Sequence, residues 1–322
     1  MITLKCHFFL EEAKKRWISV EFIDKNIPLF FLKKGKKKIL FKDTNGWINT
    51  ALGRKLSKHK QFTYKIMEYY KIPFPKTILW NIKEKLDTYN IKKSLDYPMV
   101  VKPSDRWCWK GISIVFNKKQ FSKAIYEAKK FWKNIIIQEF IKWHDHRIMV
   151  VWDKVVAWLK RIPPSIIGDG KHTIKELIKK KNISPERWDN CDTSILTKIR
   201  MDTVTKEYIQ NTYWYTLQTI PRKHATVYLR GNSNLSTWWD ATDVTDIIHP
   251  KFKKICIKIA KNCLCPIVGV DIMTPDISKD PSKHKRAMIE INSGAQFNIH
   301  ETNIFGKPRN VSGAILDFYF KK

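Results

Sequence analysis

The chain has 322 residues, a formal net charge of +31 and a hydrophobic share of 43%. That length allows roughly two domains, each with a core of its own, and the apolar share excludes global disorder. No apolar run reaches the ~18 residues of a membrane span, and the start MITLKCHFFLEEAKKR lacks the apolar stretch and cleavage site of a secretory signal. The charge comes from 50 lysines against 11 arginines. Arginine is the residue suited to bidentate phosphate and base recognition, so the dispersed lysines read as compositional bias. A basic nucleic-acid-binding protein is therefore the weakest functional reading, although the field attracts polyanions. Six cysteines without a C-x-x-C pair read as reduced thiols in a cytoplasmic protein.

In chain order, FFLEEAKKRW predicts a helix, ISVEFID a strand, and IPLFFLK with KKILFK two short strands around KKGKK. Residues 57–70 show helical periodicity with Ser57 as the expected cap, and KIPFPKTI ends that helix with two prolines. YPMVVKP and GISIVF predict a strand pair around a loop. KKQFSKAIYEAKKFW follows as an amphipathic helix and NIIIQEFI as a buried strand. HRIMVVWDKVVAWLKRIP predicts a hairpin turning at Asp153-Lys154, and TIKELIKKKN a helix. Residues 182–240 are polar and read as an insertion without assignable elements. The chain then predicts a helix over HPKFKKICIKIAKNC, strands over IVGVDIMTPD and RAMIEINSG, and a last helix over VSGAILDFYF. Strands and helices alternating in this way imply an α+β (mixed α/β) fold.

Chemistry concentrates near the C-terminus. Glu290 and Asn292 stand two apart on a predicted strand and so share a face, which Asp271 joins if the two strands pair. Two acids and an amide are hard oxygen donors of the kind that suit Mg²⁺ beside a polyphosphate. The competing reading is solvated strand residues. Lys60 at a helix start, with Lys102 and Arg161 at strand ends, are candidate phosphate cations.

The order of these elements resembles the ATP-grasp superfamily over about residues 57–322, through YPMVVKPSD, IIIQEFI, HDHRIMVV, VVAWLKRIPPSIIGDGKHTIKELI, LRGNSNLST, DATDVTDIIHP, VGVDIMTPDI, IEINSG and GKPRNVSGAILD. It is similar to the ATP-grasp regions of cyanophycin synthetases and bifunctional glutathione synthases. The resemblance implies two α+β lobes clasping ATP: a partial N-terminal α/β segment over 1–56, a small lobe with the phosphate loop over 57–137, and a C-terminal lobe over 138–322 with the insertion at about 182–240. It implies ATP contacts from Lys60, Lys102, Cys108, Lys110, Gly111 and Arg161, adenine reading by Glu139, Phe140 and Ile141, and a ribose contact from Asp145. It implies Mg²⁺ (with Mn²⁺ as a substitute) on Asp271, Glu290 and Asn292, and catalytic roles for Arg161, Arg230 and Asn234, the last two bordering the acceptor site beside Asn232. The implied activity is a carboxylate–amine ligation through an acylphosphate, on amino acids or a peptide offering a carboxylate and an amine acceptor. A homo-oligomer is compatible with it. The alternative is a non-catalytic, regulatory ATP-binding module. Where the family has an arginine near the end of the metal segment, this chain has Asn298.

The loop SDRWCWKG carries Trp107 and Trp109 where a phosphate loop needs glycine, and STWWDAT carries Trp238 and Trp239 in the same way. The chain has 13 tryptophans and only 11 glycines, whereas average usage predicts roughly 23 glycines at this length. The two counts together match that figure. Trp17, Trp47, Trp143, Trp152, Trp188 and Trp214 also sit in turn-like text. Many or all tryptophans are therefore expected to replace glycine through a UGA codon read differently, and glycine at 107, 109, 238 and 239 is expected to improve ATP binding.

Overall fold

The structure is a computed structural model that describes residues 2–24, 26–104, 111–188, 196–231, 240–302 and 306–321, with only the backbone described at Trp188 and Asp240. Helix α1 (Leu4–Lys15) starts at Thr3, whose hydroxyl accepts the Cys6 amide. Strands β1 (Ser19–Asp24), β2 (Leu29–Lys34) and β3 (Lys37–Lys42) follow, then α2 (Ala51–Lys58), α3 (Lys60–Tyr69), β4 (Thr77–Asn81), α4 (Thr88–Ser94), β5 (Met99–Pro103), β6 (Ser113–Val115), α5 (Lys118–Lys129) and β7 (Asn134–Glu139). Next come β8 (His144–Val151), β9 (Lys154–Ile162), β10 (Ser165–Ile167), α6 (Ile174–Asn182), β11 (Arg187–Trp188), β12 (Leu196–Thr197), α7 (Thr203–Tyr213), β13 (Thr226–Tyr228) and β14 (Asp240–Asp243). The chain closes with α8 (Pro250–Asn262), β15 (Ile267–Thr274), β16 (Ala287–Asn292) and α9 (Val311–Phe320). The mixed α/β class is as expected.

The chain forms two compact units: residues 1–44, 159–243 and 296–313 in one, residues 45–158, 244–295 and 314–322 in the other. In the second unit, four antiparallel strands run β4-β7-β5-β6. Helix α5 packs on them, burying Phe121, Ala124, Ile125 and Ala128 with Val101, Ile135 and Ile137. The same unit holds the first half of β9, then β8, β15 and β16 as neighbours. Its larger core joins Ile148, Val150, Trp158, Phe252, Val268 and Val270, and such burial is the main stabilising term of a domain. In the first unit, Phe9 of α1 meets Phe41 and Phe41 meets Phe30, with ring centroids 5.3 and 6.1 Å apart. Helices α6 and α7 pack Ile174, Ile178 and Ile209 against Ile166 and Val227 of the β10–β13 pair.

Two expectations are corrected here. Ser57 caps no helix: it lies in the last turn of α2, donating to the Arg54 carbonyl at 2.9 Å and accepting from the Ser293 hydroxyl, whose oxygen lies 2.7 Å away. His59, with extended backbone (ψ 99), ends α2 and makes Lys60 the first residue of α3, whose amide donates to the Ser104 carbonyl at 3.1 Å. The stretch 182–240 also contains α7, capped by the Asp202 carboxylate and anchored by buried Thr205 and Ile209. Two buried positions are too few to register as helical periodicity. Trp80 and Trp158 lie buried in the two cores of the second unit.

Candidate active site

Strand pairing in the second unit sets one row of side chains. Arg147 of β8 is opposite Asp271 of β15, and Asp271 is opposite Glu290 of β16. Paired residues on adjacent strands share a face, so the three side chains stand in line, with Asn292 two residues beyond Glu290 on the same face. The register slips between Asp271 and Ile272, which leaves Ile289 as an extra residue beside Glu290. A bulge of this kind re-aims the adjoining side chain. Tyr64 holds it, donating its hydroxyl to the Ile289 carbonyl at 3.0 Å.

The row is buried and charged. Arg147 grips Asp271 with two hydrogen bonds, from Nε to Oδ1 and from Nη2 to Oδ2, the latter 2.9 Å long. Removing one partner of such a buried pair leaves an uncompensated charge, at a cost of about 3–5 kcal/mol. Gly269 makes the room: a Cβ there would come within 3.1 Å of Arg147 Cδ and 2.7 Å of the Ala295 Cβ. The Asn292 amide donates to Glu290 Oε1 at 3.2 Å and to Asp271 Oδ2 at 3.5 Å. Lys60 Nζ lies 3.4 Å from Glu290 Oε2.

Lys102 reaches the same region from β5. Its ammonium donates to Gln138 Oε1 at 2.9 Å and to the Tyr64 hydroxyl at 3.1 Å. Gln138 in turn donates to Tyr64 and, at 2.7 Å, to Thr77 Oγ1. Burial pulls the Lys102 ammonium down to about 8 and outweighs the opposing field of Glu290. Burial also opposes the charge of Glu290, but Lys60, Lys102 and Arg147 outweigh it and hold the carboxyl well below the usual range.

The expected donors Asp271, Glu290 and Asn292 are thus brought together, with Lys60 and Lys102 beside them. Asp145 lies half-buried on β8, two residues before Arg147 and on the same face. Glu139 ends β7 and accepts the Lys76 amide at 3.0 Å, and Phe140 and Ile141 follow it, half-buried. Gly111 has φ +83°, and a Cβ there would lie 2.7 Å from the Phe131 ring, so glycine is required at the loop's end.

Arg161 and Arg230 belong to the other unit. Arg161 is buried on β9 opposite Ala241 of β14. Arg230 is buried and paired with Asp202, the N-cap of α7. Asn298, also in that unit, is buried in a 3-10 turn over Asn298–His300. Cys108, Lys110, Asn232, Asn234 and the tryptophans at 107, 109, 238 and 239 lie outside the described residues.

Sequence reasoning missed Arg147, Tyr64 and Gln138. Tyr64 could have been found one helical turn after Lys60. Arg147 required the β8–β15 register. Among the described residues no three His, Cys, Asp or Glu form a metal-type cluster.

Residues 57–169 match the RimK-like ATP-grasp domain family. The chain carries a RimK-like ATP-grasp domain. Over 270 residues it is 36% identical to the cyanophycin synthetase of Trichormus variabilis, an alignment covering 84% of this chain and 30% of that protein. Over 327 residues it is 30% identical to the glutathione biosynthesis bifunctional protein of Clostridium perfringens, covering 99% of this chain and 41% of that one. The chain thus spans about a third of the cyanophycin synthetase's length. The crystal structure of a bifunctional glutathione synthetase from Pasteurella multocida superposes with a TM-score of 0.71 at 25% identity, covering 99% of this chain and 44% of that one. D-alanine–D-alanine ligase from Bacillus anthracis shares the fold, with a TM-score of 0.50 at 14% identity over 85% of this chain and 69% of that one. No described helix is long and apolar enough to cross a membrane.

Proposed function

We propose that this chain is an ATP- and Mg²⁺-dependent ligase that joins a carboxylate to an amine through an acylphosphate, on amino acids or a peptide. The observation that carries the proposal is the buried Arg147–Asp271–Glu290 row with Asn292, Lys60 and Lys102 around it. Two carboxylates and an amide fit a hard divalent cation, and the adjacent cations fit a polyphosphate. Asp271, Glu290 and Asn292 would hold the metal, which when bound supplies charge neutralisation on the phosphates. In this reading residues 57–137 are the small lobe and 138–322 the C-terminal lobe.

Lys60 and Lys102 orient the β- and γ-phosphates, and Arg161 is assigned a further phosphate-side contact. A substrate carboxylate oxygen attacks the γ-phosphorus and ADP leaves. The amine then attacks the acyl carbon, phosphate leaves with the electron pair of the C–O bond, and the amine nitrogen gives up a proton. Arg230 and Asn234 are assigned to the acceptor side. Positioning and electrostatics supply most of the rate, because nothing here needs a covalent enzyme intermediate. The four described cysteines are buried free thiols, which supports a reducing, cytoplasmic setting.

The test is phosphate release from ATP across a panel of amino acids and short peptides, with product mass as the second readout. Release that depends on both a carboxylate and an amine supports the ligase. ATP binding without release for any pair leaves the non-catalytic module in its place.

A further inference from the structure

We infer that Arg147 is the resident counter-charge of the metal site, and that a divalent cation enters this site with a polyphosphate rather than alone. The inference rests on the ligase reading above. Arg147 engages both carboxylate oxygens of Asp271, with side chains only 7% and 3% exposed. Lys60 stands at Glu290. Asn292 turns its NH₂ to both acids, so its carbonyl oxygen points elsewhere. Every one of these neighbours is a hydrogen-bond donor, and a metal ligand must be an acceptor. A free dication therefore meets two carboxylates already matched by Arg147 and Lys60, with Lys102 adding a further positive charge to the field at Glu290. Among Arg147, Lys60, Lys102, Asp271 and Glu290 the sum is positive, which opposes the entry of a lone dication between the two acids. A nucleotide polyphosphate reverses that sign. Its oxygens give the guanidinium and the ammonium groups new acceptors, and the carboxylates and the Asn292 oxygen become available to the metal.

Mn²⁺ followed by paramagnetic resonance, with a non-hydrolysable ATP analogue, tests this. Wild-type protein is expected to bind Mn²⁺ at least tenfold more tightly with the analogue than without it. Arg147→Gln is expected to gain at least tenfold in affinity for Mn²⁺ alone, and Arg147→Lys to gain less. Lys60→Gln leaves the Arg147–Asp271 pair intact and is expected to gain about threefold or more, so it carries the test if Arg147→Gln does not fold. Equal Mn²⁺ affinity with and without the analogue, or no gain in the folded variants, overturns the inference. Failure of the analogue to bind at all counts instead against the ligase reading, because the Mn²⁺-alone comparison needs no nucleotide.

Backbone geometry carries a second, independent inference: we propose that Trp17, Trp152 and Trp214 stand where the native chain has glycine. Their φ angles are +58°, +60° and +59°, a region that costs an L-residue roughly 1–2 kcal/mol. Trp17 follows α1 in a paired cap, its amide donating to the Lys14 carbonyl and that of Ile18 to the Ala13 carbonyl, the arrangement in which glycine is favoured. Trp214 ends α7 in the same way, with the Tyr215 amide donating to the Ile209 carbonyl. Trp152 occupies the tight turn between β8 and β9. Exposure rules out a packing reason at the two helix ends: Trp17 is 91% and Trp214 83% exposed. Only four other non-glycine residues described share this φ, namely Asp43, Lys71, His224 and Leu264, a far smaller share than three among 13 tryptophans. Peptides covering these positions, taken from protein of the native source, are expected at glycine mass. Tryptophan mass at all three overturns the proposal.

Discussion

Two partly buried glutamates, one in each unit, show how far surroundings decide chemistry. Glu290 sits among Lys60, Lys102 and Arg147, and they keep it charged despite burial. Glu301 is driven the other way. Burial raises it to about 7, the hydrogen bonds from the Ser312 amide and hydroxyl offset this only in part, and Glu12 adds a like charge. The first carboxylate is kept ionised by the cations around it. The second serves as a hydrogen-bond acceptor at the start of α9 and is neutral over part of the usual pH range. The charged neighbours of a buried acid, rather than its burial, therefore separate a candidate ligand from a structural group.

Three substitutions sharpen or break that contrast. Glu290→Gln is expected to have the largest effect, lowering metal-dependent phosphate release on the order of 100-fold while circular dichroism stays unchanged. Retention of more than half the activity would erase the distinction between the two acids. Glu301→Gln is expected to act on stability alone. The folded chain keeps this proton to about pH 7, whereas the unfolded chain releases it near 4.5. The folded state thus binds more protons in that window, and stability falls as pH rises through it and then levels, by roughly 2–3 kcal/mol. Urea midpoints between pH 4.5 and 7.5 should decline in the wild type and flatten in the variant. A parallel decline in both would show that another group titrates.

Asp202→Ala is expected to be the mildest. The Asp202 carboxylate both caps α7 through the Thr205 amide and holds Arg230. Losing the cap costs about 1 kcal/mol. If Arg230 serves the acceptor side, KM for the amine substrate should rise severalfold while KM for ATP holds. A shift in both would place Arg230 elsewhere in the reaction.

Much of the candidate site was legible in the chain. Strand alternation put Glu290 and Asn292 on one face, and the helix start put Lys60 at an end, because those periods are local. The Ser57 cap failed for a local reason of another kind, since His59 breaks one apparent helix into two. Helix α7 was obscured because two buried residues, Thr205 and Ile209, give too weak a pattern.

By itself the sequence determined the class of fold, the identity of the acids and lysines, and the mismatch between tryptophan and glycine, all of which follow from composition and short-range spacing. Only the tertiary structure decided that Arg147 faces Asp271, that Gly269 gives it room, and that Tyr64 ties Lys102 to the bulge before Glu290. Those contacts depend on strand register and on helix placement, which join residues up to 225 positions apart and leave no periodic trace in the chain.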